Sequence, residues 1–148
     1  MTLSMLMALW FAALALSPLS PPHTPTLKWV TIEARDYAFT APAVVQAGAT
    51  IFRFVNHGRV PHEVQFFRFS PNVSATAARA YLATGNVPDS VADANGGVLI
   101  APPGGTTREK LYVDLRAGER YALMCQFHDS PGKPMHSTLG VVALLEVR

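Results

Sequence analysis

Apolar and polar residues alternate in short runs over most of residues 29–147. A period of two is typical of β-strands that bury one face. The pattern predicts strands at residues 29–34, 49–56, 62–69, 98–101, 108–115, 121–125 and 141–147, with shorter extended pieces at 37–39 and 44–46. Turn-forming residues separate these strands at spacings of about 8–12 residues. Seven or eight short strands in this arrangement predict an all-β, Greek-key sandwich.

One segment has a helical rather than an alternating pattern. Residues 74–84 are rich in alanine, Ser74 is a suitable N-cap, and Gly85 is a suitable end signal. Residues 86–97 are rich in turn formers and are predicted to be a loop. We therefore expect the sandwich to carry one short inserted helix.

The N-terminal region differs from the rest of the chain. Residues 5–16 are all apolar and uncharged. This run is shorter than the roughly 20 residues of a membrane span, but it fits the apolar part of a signal peptide. No positive charge precedes it, so an uncleaved N-terminal anchor is the alternative. We expect a signal peptide or anchor at residues 1–20, a proline-rich linker at 21–28, and one domain at 29–148. The protein would then be exported, to the periplasm or the extracellular space.

Composition argues against several classes of function. The net charge is only +2, 15% of residues are charged, and the basic side chains are scattered. A nucleic-acid partner is therefore not expected. No spacing suggests a Ser-His-Asp triad, a carboxylate pair or a glycine-rich phosphate loop, so an enzyme is not predicted. Contact with a membrane is expected only if the N-terminal segment stays uncleaved.

The candidate chemistry surrounds the single cysteine, Cys125, at the end of a predicted strand. An unpaired cysteine in an exported protein is reactive, intermolecular, buried and inert, or a metal ligand. The loop that follows contains His128, Met135 and His136, and His62 begins an earlier strand. A thiolate, imidazoles and a thioether form a ligand set that suits copper.

Several segments, taken in order, resemble the plastocyanin-like branch of the cupredoxin family. Residues 56–62, with Asn56 and His62 at its ends, resemble the turn that carries the first copper histidine. Residues 101–104 resemble the turn before the penultimate strand, and residues 118–125 resemble the approach to the copper cysteine. The resemblance implies a mononuclear type 1 copper site that includes His62 and Cys125. It also implies a one-electron carrier or copper-handling protein that meets a redox partner or a copper donor or acceptor.

The second histidine can be assigned in two ways. Either His128 is the ligand with Met135 as the axial thioether, or His136 is the ligand and Val141 occupies the axial position. Register favours His136, because Val141 stands at the start of the last predicted strand. The resulting loop is long, but each doubling of loop length costs only about 0.6 kcal/mol.

The loop also departs from the family pattern, which leaves a second hypothesis open. In that case the chain is a metal-free binding or scaffold domain of cupredoxin shape, with a degenerate copper site. Glu63 and Arg68 are expected to be solvated strand residues.

Overall fold

The computed structural model describes residues 26–94 and 96–148. The predicted signal peptide or anchor, and most of the predicted linker, lie outside the described residues. Within that part of the chain, no helix is long and apolar enough to cross a membrane. The strands are β1 (Lys28–Arg35), β2 (Ala38–Thr40), β3 (Val44–Val45), β4 (Gly48–Asn56), β5 (His62–Phe69), β6 (Ala92–Asp93), β7 (Val98–Ala101), β8 (Leu111–Leu115), β9 (Arg120–Met124) and β10 (Val142–Val147). The helix α1 spans Ala75–Ala83, and a 3₁₀ helix spans His136–Leu139.

The strands form two sheets. The first has the order β2-β1-β4-β8, and the second has the order β3-β10-β9-β5-β6, with β7 also paired to β5. The chain crosses from β2 in the first sheet to β3 in the second and returns at β4. It crosses again between β4 and β5, returns at β8, and crosses a last time to β9. The predicted all-β sandwich with one inserted helix is confirmed.

The differences from the predicted elements are local. The strand β6 lies inside the predicted loop, because its two residues pair with Arg68 and Phe69 at the end of β5. A two-residue strand is too short to show an alternating pattern. The strand predicted at 108–115 begins only at Leu111, and the first strand begins one residue early, at Lys28. Ser74 is the N-cap of α1, as predicted, and its Oγ accepts the Ala77 N–H at 3.1 Å.

The main core lies between the two sheets. Alternate residues of β4 point inward, so Phe52 and Phe54 are fully buried while Arg53 between them is exposed. Phe52 packs against Phe66 of the facing sheet, with ring centroids 4.9 Å apart. Burial of aromatic and aliphatic side chains in this layer supplies most of the stabilisation of the fold.

The outer face of the second sheet is also covered. Helix α1 places Ala78 and Leu82 in a second buried cluster with Phe67, Ala122 and Met124. Strand β9 is therefore buried on both faces, which explains its nearly continuous apolar sequence. The strand that leads to Cys125 is held rigidly from both sides.

Candidate metal centre

Three residues meet at one end of the sandwich. His62 is the first residue of β5, and Cys125 directly follows β9. Because β5 and β9 are antiparallel neighbours, the start of one lies beside the end of the other. His136 opens the 3₁₀ helix that follows the loop after Cys125. Sheet pairing therefore brings together residues that are far apart in the sequence.

The donor atoms of these residues form a compact triangle. Nδ1 of His136 lies 3.3 Å from Nδ1 of His62 and 3.5 Å from Sγ of Cys125. All three donor atoms lie within 4.8 Å of one another. The side chains are completely or almost completely shielded from solvent, with exposures of 0% for His62 and Cys125 and 1% for His136.

These separations fit a single metal ion that would be held by the three donors. Bonds of about 2.0 Å to nitrogen and about 2.3 Å to sulfur, set at trigonal angles, would place the nitrogens about 3.5 Å apart and each nitrogen about 3.7 Å from the sulfur. The observed 3.3 Å and 3.5 Å are close to those values. The third edge, from His62 to Cys125, is at most 4.8 Å, so the three side chains would need only modest shifts to bind one ion.

Backbone hydrogen bonds fix the ligand loop around Cys125. The N–H of Cys125 donates to the carbonyl of Val141 at 3.1 Å, and the carbonyl of Cys125 accepts the N–H of Ser137 at 2.8 Å. The N–H of His136 donates to Phe127 O at 2.8 Å, while its carbonyl accepts the Val141 N–H at 3.0 Å. The 3₁₀ helix thus folds back onto the cysteine and carries His136 into the interior.

Asn56 fixes the loop that leads into His62. Its fully buried side chain donates to the carbonyls of Val60 at 2.8 Å and Ala101 at 3.3 Å, and its Oδ1 accepts the Gly58 N–H at 2.8 Å. One amide therefore satisfies three backbone groups, two in the loop before His62 and one at the end of β7. The residue that opens the cupredoxin-like turn in the sequence has a structural role beside the site.

Burial sets the protonation of the donors in the absence of a cation. Burial first, and then the neighbouring His136, lowers the pKa of His62 below its usual 6.5. Burial likewise raises the pKa of the Cys125 thiol above 9.0. Both effects disfavour charge in this interior, so His62 is neutral and Cys125 is a thiol at neutral pH. A bound cation would instead favour the thiolate form of Cys125.

Two carboxylates contact the site from outside. Asp129 Oδ1 accepts a hydrogen bond from Nε2 of His136 at 3.0 Å, and Asp129 Oδ2 accepts one from the Tyr37 hydroxyl at 2.6 Å. These hydrogen bonds, first that of Tyr37, lower the pKa of Asp129. Glu63 Oε1 accepts the N–H of Gln126, the residue after Cys125, at 3.1 Å.

Glu63 corrects one expectation. It is half-buried rather than solvated, and burial raises its pKa. Arg68 is exposed, as expected, and pairs with Asp93 at 3.3 Å. Strand alternation does not predict the contacts of Tyr37 with Asp129 and of Glu63 with Gln126, because each joins segments far apart in the chain. The sequence of the loop shows that Asp129 lies near both candidate histidines, but it does not show which of them Asp129 contacts.

The other predicted residues of the loop lie around this triangle. His128 is exposed, and its Nδ1 donates to the carbonyl of Lys133 at 2.7 Å. A backbone bridge pairs His128 with Met135, which is half-buried next to His136. Val141 is fully buried between the 3₁₀ helix and β10. Among the described residues, the histidine grouped with Cys125 and His62 is therefore His136.

No family model matches the chain, and no curated protein matches it by sequence. Similar solved structures include auracyanin B, which is 22% identical with a TM-score of 0.47 and covers 86% of this chain and 92% of its own. Auracyanin A, described as a "blue" copper protein from the green thermophilic photosynthetic bacterium Chloroflexus aurantiacus, is 18% identical with a TM-score of 0.49, covering 83% of this chain and 100% of its own. An azurin from the obligate methylotroph Methylomonas sp. strain J is 15% identical with a TM-score of 0.46, covering 82% of this chain and 98% of its own.

Proposed function

We propose that this chain binds one copper ion through His62, Cys125 and His136 and acts as a one-electron carrier or copper-handling protein. The observation that carries the proposal is the buried triangle of two imidazole nitrogens and one sulfur, two of whose edges are 3.3 Å and 3.5 Å. Two imidazoles and one thiolate around an ion, with a weak axial position, form the donor set of blue-copper sites. Val141 stands at the axial position in this proposal, so no strong fourth donor is supplied there.

The surroundings of the donors suit electron transfer. Copper held by a thiolate and two imidazoles supplies a one-electron couple. The protein holds each donor on a separate rigid element, namely the start of β5, the end of β9 and the 3₁₀ helix. Burial in a packed sandwich limits how far the donors move between oxidation states. Small rearrangement favours rapid electron exchange over copper release, so we favour the carrier role.

Binding also requires proton release at the cysteine. The ligand form of cysteine is the thiolate, and the ligand form of histidine is neutral. His62 meets this requirement because burial keeps it neutral. The Cys125 thiol must lose its proton, and the charge of the ion compensates the thiolate in the interior.

Addition of Cu(II) to the purified protein tests the proposal directly. We expect an intense visible thiolate-to-copper charge-transfer band that saturates at one ion per chain and is lost in Cys125→Ala. Cu(II) bound through surface groups would give no such band. A protein with Cys125 reduced that develops no band with excess Cu(II) would contradict the proposal and favour the metal-free scaffold function.

Export is a separate part of the proposal and is supported by the uncharged apolar run at residues 5–16. Mature protein isolated from the producing cells should begin between about residue 18 and residue 27. Intact Met1 on a membrane-bound protein would support the N-terminal anchor, and intact Met1 on a cytoplasmic protein would contradict export. The partner in either case would be a redox protein or a copper donor or acceptor.

A further inference from the structure

The outer edge of His136 is closed by two surface side chains. Its Nε2 lies 3.0 Å from Oδ1 of Asp129, and the other oxygen of that carboxylate accepts the Tyr37 hydroxyl at 2.6 Å. The Tyr37 ring also packs edge-on against the imidazole, with centroids 5.6 Å apart and an interplanar angle of 86°. His136 is 1% exposed, whereas Tyr37 is 41% exposed.

The two covering residues come from different parts of the fold. Asp129 lies in the ligand loop itself, while Tyr37 belongs to the turn between β1 and β2, 92 positions earlier in the chain. The same turn contacts the other ligand loop, because Asp36 Oδ1 accepts the Arg59 N–H at 3.0 Å. The β1–β2 turn therefore touches the segments that carry both His62 and His136.

A neutral imidazole has two tautomers, and only one of them serves a metal at Nδ1. If Nδ1 carries the proton, its lone pair is not available in the triangle. A carboxylate that accepts a hydrogen bond from Nε2 favours the tautomer with the proton on Nε2. In that tautomer the lone pair on Nδ1 of His136 is free and faces the other two donors. Nδ1 lies 3.3 Å from Nδ1 of His62 and 3.5 Å from Sγ of Cys125.

We propose that Tyr37 and Asp129 are positioning residues that hold His136 in the Nε2-protonated tautomer and prevent its ring from turning toward solvent. This proposal rests on the proposed copper site, because the orientation of the His136 ring matters for function only if its Nδ1 binds the metal. Asp129 selects the tautomer, and the Tyr37 hydroxyl fixes the carboxylate while its ring blocks the outward path of the imidazole. Outer hydrogen bonds of this kind raise the basicity of a ligating histidine and strengthen metal binding.

The tautomer can be measured without copper. In the metal-free, ¹⁵N-labelled protein with neutral imidazoles, the nitrogen shifts of His136 should report a proton on Nε2 that exchanges slowly with water. Asp129→Ala should mix the tautomers and speed that exchange. Asp129→Asn should restore much of the wild-type behaviour, because its side-chain oxygen still accepts from Nε2. Tyr37→Phe keeps the ring, so it should speed the exchange less than Asp129→Ala.

Competition for Cu(II) with a chelator of known affinity gives the second readout. Asp129→Ala should weaken binding by about 10- to 100-fold, with Asp129→Asn and Tyr37→Phe between it and the wild type. Asp114→Ala and Tyr112→Phe serve as controls, because both side chains are exposed on β8 in the other sheet. The controls should leave the tautomer and the affinity unchanged.

The two readouts separate this proposal from the proposed function. An Asp129→Ala protein with an unchanged His136 tautomer and unchanged exchange would overturn the positioning role, whether or not copper binds. The role is also overturned if the tautomer changes but Asp129→Ala and Asp114→Ala bind Cu(II) equally well. A wild-type protein that binds no copper would instead overturn the proposed function, while the tautomer measurement still decides the positioning of His136.

Discussion

The Nδ1 atoms of His62 and His136 lie 3.3 Å apart, although 74 positions separate the two residues in the chain. Both rings are buried, with centroids 4.9 Å apart. Two charged imidazoles at this separation would repel each other strongly in a water-poor interior. The pair is therefore stable only with at least one neutral ring, and a cation placed between the lone pairs would be attracted to both. The arrangement favours binding of an ion over protonation.

Asn56 provides a test of how the first ligand loop is held. Asn56→Ala removes the hydrogen bonds to Val60, Ala101 and Gly58 and leaves buried backbone groups unpaired. We expect a loss of about 1–3 kcal/mol in the free energy of unfolding, measured by urea denaturation, together with weaker Cu(II) binding. The exposed residue Asn72 offers a matched control, and Asn72→Ala should change neither quantity. Equal stability of the two variants would contradict this role of Asn56.

Gly85 links the inserted helix to the ligand loop. It has a φ of +67°, and a Cβ atom there would lie 2.5 Å from the carbonyl oxygen of Ser137 and 2.5 Å from the Cα atom of Thr138. Gly85→Ala should therefore displace the 3₁₀ helix and weaken Cu(II) binding. Its cost in unfolding free energy combines left-handed strain of about 1–2 kcal/mol with an overpacking cost of about 1–3 kcal/mol.

Gly118 isolates the two contributions. It has a φ of +88° but open space around the position of a Cβ atom. Gly118→Ala should therefore show only the backbone strain, with copper affinity unchanged, as measured by urea denaturation and chelator competition. If Gly85→Ala leaves copper affinity as high as Gly118→Ala does, the helix does not support the ligand loop.

Val141 occupies the axial position in the proposed site. Its backbone hydrogen-bonds to the backbone of both Cys125 and His136, so the residue lies directly beside two of the proposed ligands. Val141→Met adds a thioether, which should stabilise Cu(II) relative to Cu(I) and lower the reduction potential. The adjacent Val142, whose side chain packs with the α1 cluster, provides the control in Val142→Met. A redox titration that gives the same potential for both variants would contradict the axial assignment.

Tyr121 should make the stability of the fold sensitive to alkaline pH. Burial, and then its hydrogen bond to Glu119 at 3.0 Å, raises the pKa of Tyr121 above the ordinary 10.0. The unfolded chain ionises near pH 10.0 while the folded chain does not. The stabilisation is therefore complete below that pH and is lost above it, by up to about 1.4 kcal/mol per pH unit.

Urea denaturation on either side of pH 10.0 measures this effect. Tyr121→Phe should flatten the alkaline decline, whereas Tyr112→Phe, at an exposed position, should leave it unchanged. Identical alkaline slopes for the wild type and Tyr121→Phe would show that the buried phenol does not contribute.

The fold class was predictable because strand alternation is a local property. Phe52 and Phe54 share a face by period two alone, and the structure buries both. The Ser74 cap and the alanine-rich body of α1 are equally local signals. Strand β6 was missed, because its two residues are ordered by pairing with β5 and not by any pattern of their own.

The candidate site was only partly predictable from the sequence. Ligand-type residues at strand ends pointed to His62 and Cys125, and register pointed to His136 rather than His128. The half-burial of Glu63 and the approach of Tyr37 to Asp129 were not predictable, since they depend on how distant turns pack. The close approach of Gly85 to the backbone of Ser137 was not predictable either, because it also depends on how segments distant in the chain pack together.

The choice between the two loop histidines tests the account most directly. In the structure His136 is buried beside Cys125, whereas His128 is exposed and its Nδ1 is hydrogen-bonded to the carbonyl of Lys133. After addition of one equivalent of Cu(II), His136→Ala should abolish the visible thiolate-to-copper band, and His128→Ala should retain most of it. Loss of the band in His128→Ala, with retention in His136→Ala, would contradict the proposed ligand set and make Met135 the axial candidate.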